Sequence, residues 1–100
     1  MTVLLENERG EPLDDVIDPY DILHRLLPSS EDTSYQCLRF IDWYGSTTFN
    51  NLQMGVFLQD WERVRQKAVT EEDRIFWYAI RDLALICQKG ELKYLKFYGD

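Results

Sequence analysis

The sequence predicts an α+β fold in a single domain, and three observations support that class. The chain has 100 residues, which is enough for one hydrophobic core but not for two. Hydrophobic residues make up 45% of the chain and aromatic residues 14%, so it has enough apolar surface to fold. Its predicted elements follow the order β-β-α-β-α-α-β, which is typical of helices on one face of a small antiparallel or mixed sheet of about four strands.

The N-terminal part is predicted to form a β-hairpin followed by a short helix. Residues 2–6 and 12–17 favour strands, and the turn-like segment 7–10 separates them. The segment 18–21 (Asp-Pro-Tyr-Asp) then offers an Asp cap, a proline at the first helical position and an acid three residues after the cap. We expect the helix to end before Pro28, with an apolar face of Ile22, Leu23, Leu26 and Leu27.

The middle of the chain is predicted to contain a polar loop and a third strand. Residues 28–34 are polar and too few to separate two domains. Residues 35–44 are rich in aromatic and branched side chains and precede a glycine, which favours a strand. The similarity between residues 38–41 (Leu-Arg-Phe-Ile) and 95–98 (Leu-Lys-Phe-Tyr) indicates two neighbouring strands that point Leu and Phe inward.

A second helix is predicted to begin near residue 50. Asn50 and Gln53 have the spacing of a capping box, and Phe49 and Met54 are placed to form a hydrophobic staple around it. Its apolar stripe, spaced by three and four residues, is predicted to consist of Phe57, Trp61, Val64 and Ala68.

A third helix and a last strand complete the predicted fold. Thr70 and Asp73 form a second capping box, and Lys89-Gly90 is a typical helix end. The last strand is predicted over residues 92–98. The apolar stripe of the third helix is predicted to consist of Phe76, Ala79, Ile80, Leu83, Ile86 and Cys87.

The outer face of the predicted sheet is expected to be aromatic and basic. If Leu95 and Phe97 point inward, the two-residue period of a strand directs their neighbours outward. Such interleaving resembles surfaces that stack single-stranded bases, but a net charge of −7 disfavours a polyanionic partner. Cross-strand packing explains the same residues. The outward set is Arg39, Ile41, Trp43, Tyr94, Lys96 and Tyr98.

The acidic residues are concentrated at the start of the chain. Residues 1–36 contain nine acidic and two basic side chains, whereas residues 37–100 contain nine of each, so the net charge of −7 belongs to the first 36 residues. Such a field attracts cationic partners and repels nucleic acid and anionic membranes.

No motif for catalysis or for cofactor binding stands out. We therefore expect that the protein is not an enzyme and that it binds no cofactor. The glycines are scattered, so there is no phosphate-binding loop. Asp18, Asp21 and the single histidine, His24, can approach a divalent ion on a short helix, but capping and the helix dipole already account for the two aspartates, so we favour that interpretation. A metal-dependent enzyme is the remote alternative.

The sequence also favours a cytoplasmic, bacterial protein. No apolar run reaches the ~20 residues that span a bilayer, and the N-terminal residues lack the basic start of a secretion signal. Cys37 and Cys87 lie in apolar stretches, so we expect both to be buried and reduced.

The function we expect is binding to a basic protein, as in an immunity or inhibitor protein whose carboxylates stand in for substrate phosphates in the cleft of a nuclease. The candidate contact residues are Asp14, Asp15, Asp18, Tyr20, Asp21, Glu31 and Asp32.

The alternative is a structural or assembly protein that associates with itself as a homodimer. Aromatic residues and arginines dominate binding hot spots. The residues of this alternative interface are Arg74, Trp77, Tyr78, Arg81, Trp43, Tyr94 and Tyr98.

Overall fold

The computed structural model describes residues 1–99, whose elements follow the predicted order. The strands are β1 Thr2–Glu6, β2 Pro12–Ile17, β3 Ser46–Asn50 and β4 Tyr94–Tyr98. The α-helices are α1 Ile22–Leu26, α2 Met54–Val64 and α3 Glu71–Lys89. Short 3₁₀ helices occupy Leu38–Phe40, Asn51–Gln53 and Arg65–Lys67. The α+β class and the four strands are therefore confirmed.

The four strands form one antiparallel sheet in the order β2-β1-β4-β3. Val3 pairs with Phe97 and Leu5 pairs with Leu95, and all four side chains are buried on the face that the helices cover. Phe49 on β3 pairs with Leu95 and continues that face. The hairpin between β1 and β2 turns at Gly10, whose φ of 76° suits a residue without a Cβ.

A row of aromatic rings connects the helices to the sheet. The Phe57 ring lies 5.7 Å from Phe49 and 5.8 Å from Phe97, and it stacks on Trp61 at 6.0 Å. Trp61 in turn stacks on Trp77 of α3, with centroids 6.2 Å apart and planes 7° from parallel. Trp61 Nε1 donates to the Trp77 carbonyl at 3.0 Å, and Trp77 Nε1 donates to the Trp61 carbonyl at 2.9 Å. These two bonds fix α2 against α3, because each buried indole N–H needs an acceptor.

Both predicted capping boxes are present. The Asn50 side chain accepts from the Gln53 N–H at 3.0 Å, and the Gln53 side chain accepts from the Asn50 N–H at 2.8 Å. Thr70 and Asp73 form the equivalent reciprocal pair at the start of α3. The helical stripe predicted for residues 57–68 is buried, although α2 changes to a 3₁₀ helix after Val64.

The helix α1 begins later than the sequence predicts. Pro19 and Tyr20 precede the helix, which starts at Ile22, and Asp21 adopts a left-handed conformation with φ of 53°. The Asp18 carboxylate nevertheless caps it, since its two oxygens accept the N–H groups of Ile22 and Leu23 at 2.8 Å each. Pro19 is therefore not the first helical residue, contrary to prediction. Asp18 does cap the helix, but across a longer turn than predicted.

The prediction of a strand over residues 35–44 is wrong. This segment contains the 3₁₀ helix Leu38–Phe40, and the third strand follows it at Ser46–Asn50. The buried Asp60 carboxylate accepts the N–H groups of Cys37 and Leu38 at 2.7 and 3.1 Å, so a side chain takes donors that a sheet neighbour would otherwise bind. Residues 38–41 are accordingly not a strand next to β4, and Phe40, predicted to point inward, is 59% exposed.

The buried face of α3 differs from the predicted stripe by about one position. Phe76, Ile80, Leu83 and Cys87 are buried as predicted, but Ile86 is exposed and Ala79 only half-buried. Ala84 and Trp77 take their places on the buried face of α3, and Trp77 is 2% exposed. Trp77, which the predicted stripe omits, therefore belongs to the buried face of α3.

The two cysteines are buried and form no disulfide. Burial raises the pKa of both thiols to about 11, so neither forms a thiolate readily at neutral pH. Within residues 1–99, no helix is both long enough and apolar enough to cross a membrane.

Trp77→Phe removes the indole donor but keeps an aromatic ring between α2 and α3. We expect the free energy of unfolding to fall by about 2–4 kcal/mol, because a buried hydrogen bond and part of the ring volume are both lost. Urea denaturation followed by circular dichroism measures this loss.

Tyr78→Phe is the matched control, since it removes only the partly exposed bond that Arg65 donates to the Tyr78 hydroxyl at 2.6 Å. We expect a loss of less than about 0.5 kcal/mol from it. Equal losses in the two variants would show that the reciprocal indole bonds contribute nothing.

Candidate partner-binding surface

The acidic side chains of β2 project from an open edge of the sheet. Asp14 and Asp15 are both exposed, and no ion pair between residues 1–99 includes either of them. Asp14 Oδ1 accepts the N–H of Asp15 at 2.8 Å, which places a carboxylate over the backbone of the strand. Two uncompensated negative charges therefore occupy successive positions of this edge strand, where alternation directs Asp14 to the face that carries Leu5 and Asp15 to the opposite face.

Asp18 and Asp21 differ in what they can offer a partner. Asp18 is 6% exposed and both of its oxygens bind the start of α1, so its carboxylate has a structural role. Asp21 is exposed and lines an open depression of about 460 Å³ together with His24 and Trp43. Of these two predicted contact residues, only Asp21 can reach another protein.

An apolar groove lies between β2 and α3, and Tyr20 forms one wall of it. The volume is about 230 Å³ and nearly the whole lining is apolar. Ile17, Tyr20 and Ile75 are 64%, 67% and 64% exposed and line the same groove, and contiguous exposed apolar surface is typical of interaction sites. We call this feature the β2–α3 groove. Its lining consists of Val16, Ile17, Pro19, Tyr20, Ile22, Glu72, Ile75, Phe76 and Ala79.

Sequence reasoning found Tyr20 but missed Ile17, Glu72 and Ile75. The sequence predicts only a strand at Ile17, and Ile75 does not belong to the predicted apolar stripe of α3. The position of Ile75 outside the predicted apolar stripe is the signal that could have identified it. A large aliphatic residue outside the buried stripe of an amphipathic helix is often exposed.

Glu31 and Asp32 lie among basic side chains. Their loop packs beside α2, where Arg63 donates to the Ser34 carbonyl at 2.8 Å, and Arg39 donates to the Ser30 carbonyl at 3.0 Å. The hydrogen bond from the Ser34 hydroxyl lowers the pKa of Asp32, and its backbone N–H and the charge of Arg63 act in the same direction. Nearby cations thus offset the negative field of this loop.

The outer sheet face contains only part of the predicted aromatic and basic set. Tyr94, Lys96 and Tyr98 point away from the helices as predicted, and the Lys96 ammonium lies 4.4 Å from the centre of the Tyr98 ring. A hydrogen bond to Tyr98 raises the pKa of Lys96, and the charge of Glu6 adds to the effect.

Arg39 and Trp43 are absent from this face, contrary to prediction, because their segment forms no strand. The Arg39 guanidinium stacks on Phe40 at 4.7 Å. The Trp43 ring contacts His24, with centroids 4.7 Å apart.

The alternative cluster on α3 is dispersed by burial and by local bonds. Trp77 is buried and unavailable to a partner, as described above. Arg74 donates to the Val69 carbonyl at 2.9 Å, and Arg81 lies 3.9 Å from Asp82. Only Tyr78 keeps a substantial exposed aromatic surface.

The part of the chain that the structure describes contains no group of three or more His, Cys, Asp or Glu side chains arranged to hold a metal ion. Asp18 uses its oxygens for backbone N–H groups, so Asp21 and His24 lack the third donor that the sequence suggested.

Comparisons with models of protein families, with curated protein sequences and with solved structures found no match.

The buried Asp73 joins α1 to α3 and makes stability depend on pH. Burial acts to raise its pKa, but the N–H and hydroxyl of Thr70 and the guanidinium of Arg25 outweigh it, so the pKa lies below its ordinary value. A lowered folded-state pKa stabilises the protein above the unfolded-state pKa of about 3.9, and this contribution disappears as the pH falls through the folded-state value.

Asp73→Asn imitates the protonated side chain. We expect it to lower the free energy of unfolding by about 1.5–3 kcal/mol at neutral pH, the usual contribution of a hydrogen bond to a charged group. The difference between wild type and variant should shrink below about pH 4, where the unfolded wild-type chain takes up a proton on Asp73, and should vanish once the pH falls through the lowered folded-state pKa. Urea denaturation at several pH values measures it, and a difference that stays constant from acid to neutral pH would contradict this role.

Proposed function

We propose that this protein is a small binding protein without catalytic activity, which engages a basic surface of another protein. The observation that carries the proposal is the position of Asp14 and Asp15, which are exposed and uncompensated on an edge strand beside the β2–α3 groove. An apolar centre with a charged rim is the usual anatomy of a protein interface. The charges favour fast association with a cationic partner, and the apolar groove provides area to be buried.

An immunity or inhibitor protein is the most concrete form of this proposal. Enzymes that act on nucleic acids have cationic clefts, and closely spaced carboxylates on a rigid strand can occupy such a cleft in place of phosphates. The proposed contact residues are now Asp14, Asp15, Tyr20, Asp21 and Glu72. Glu31 and Asp32 remain outer charges of lesser weight, because Arg39 and Arg63 accompany them.

We also propose a cytoplasmic and bacterial setting, and the state of the cysteines supports the first part of it. Both thiols are free and buried, as is usual in reducing compartments.

Self-association is the second candidate, and exposed apolar residues on α3 favour it. Ile75, Tyr78 and Ile86 are spaced by three and eight residues and lie outside the buried stripe. A second copy that covered them would bury apolar area without need of opposite charges. This candidate predicts a dimer that persists at high salt, whereas a charge-guided binder should be monomeric by itself.

Capture of partners by the tagged protein from its native lysate, at low and at high salt, tests the primary proposal. We expect a basic protein to bind at low salt and to be released as salt screens charges beyond roughly 8 Å at physiological ionic strength. Asp14→Asn combined with Asp15→Asn should weaken the purified complex roughly 3- to 30-fold, which corresponds to two exposed charge contacts.

Glu31→Gln combined with Asp32→Asn is the matched control, since it removes the same charge from the loop beside α2. We expect a smaller loss of affinity from it. Equal losses would mean that net charge, and not the position of β2, determines binding. A salt-resistant homodimer in light scattering, with no captured protein, would favour self-association instead.

A further inference from the structure

The two edges of the sheet differ in how well they are covered. Beside β3, the Thr47 hydroxyl accepts the N–H of Asp42 at 2.9 Å and lies 3.5 Å from the Phe40 carbonyl, so the preceding segment packs along this edge. Five of the six residues of β2 are exposed, and Val16 is half-buried. Exposed strand edges are the places where another chain can add by backbone pairing.

The backbone of β2 has a defined orientation. The N–H of Asp18 donates to the Met1 carbonyl at 3.2 Å, so by alternation the N–H groups of Asp14 and Val16 face β1. The N–H and C=O groups of Asp15 and Ile17 then point away from the sheet. Asp14 Oδ1 accepts the outward N–H of Asp15, which protects the edge when no partner is bound.

The β2–α3 groove adjoins this edge on the helix side of the sheet. Val16 pairs with the buried Val3, so its side chain lies on the face that the helices cover. A strand added beside β2 would direct alternate side chains to that same face. The groove volume of about 230 Å³ is smaller than the roughly 300 Å³ of typical ligand pockets, so it suits a side chain more than a separate ligand.

The charge of the segment identifies the chemistry of the occupant. Residues 11–21 contain five acidic side chains and no lysine or arginine, and the charged residue of the groove lining is Glu72. Antiparallel pairing of β2 with a second copy would bring Asp14 and Asp15 of the two chains together, which like charges oppose. A lysine or arginine of a different chain would instead attract Asp14 and free the Asp15 N–H for pairing.

We propose that β2 accepts an extended segment of a basic partner protein as a fifth strand, with an apolar side chain of that segment in the β2–α3 groove. The inference rests on the proposed function and specifies how the partner binds. In this binding mode the Asp14 carboxylate occupies the Asp15 N–H until a cationic side chain of the partner draws it away.

A synthetic peptide of about eight residues, the length of an ordinary strand, with alternating lysine and valine is the probe. The full ¹⁵N-labelled chain is followed by NMR amide exchange and by titration at low salt. We expect the peptide to slow exchange of the Asp15 and Ile17 N–H groups at least roughly tenfold, with little change at Val16, whose N–H already faces β1. The same peptide with N-methyl groups on alternate residues has equal charge but lacks donors, and should bind at least roughly tenfold more weakly.

Two substitutions at one position separate backbone pairing from charge. Asp15→Pro removes both the charge and the outward N–H, and proline is tolerated at such edge positions. Asp15→Asn removes only the charge. Strand addition predicts that the proline variant binds the peptide at least roughly fivefold more weakly than the asparagine variant, while both keep the wild-type thermal unfolding midpoint.

Equal binding of the two peptides to the wild-type chain would overturn strand addition, even if Asp15→Pro fails to fold. If that binding still weakens with salt, the acidic surface acts by charge alone and the proposed function stands. Absence of binding by either peptide also overturns strand addition, and lysate capture then judges the proposed function separately. Protection of Asp15 and Ile17 in a dimer without peptide would identify a second copy as the occupant and overturn the inference.

Discussion

The pair of hydrogen bonds between Trp61 and Trp77 is the constraint on which the rest of the structure depends. Each indole donates to the carbonyl of the other residue, so α2 and α3 can approach in only one register and at one separation. Trp61 then stacks on Phe57, which contacts Phe49 and Phe97 of the sheet. One column of rings thus sets the distance between the helical layer and the four strands, in a chain too short for a second core.

Buried carboxylates hold the parts of the chain that have little regular structure. Asp60 binds two backbone N–H groups before the 3₁₀ helix, Asp18 binds two at the start of α1, and Asp73 binds Arg25 as well as its own capping box. Each satisfies donors that would be costly to leave unpaired in the interior. These three aspartates are part of the fold, and the acidity of the sequence overstates the charge offered to a partner.

Local patterns predicted most of the fold, and the wrongly predicted strand at residues 35–44 reflects a contact distant in sequence. The capping boxes at Asn50 and Thr70 involve residues three apart, so the sequence displays them directly. Residues 35–44 have strand composition because several of their side chains enter the core, yet Asp60, more than twenty residues away, takes their backbone donors. The composition of a segment indicates how much of it is buried. It does not indicate which group accepts each backbone N–H, because that depends on tertiary structure.

The candidate site was predictable in its charge and unpredictable in its geometry. Counting acids identified the first 36 residues, but only the folded chain separates the uncompensated pair Asp14 and Asp15 from the buried Asp18 and from Asp32, which cations accompany. The apolar half of the surface comes from two distant elements, because Ile75 reaches Ile17 and Tyr20 only after α3 packs beside β2. Net charge can attract a partner from a distance, whereas the binding that we propose uses that charge, the open edge of β2 and the β2–α3 groove together.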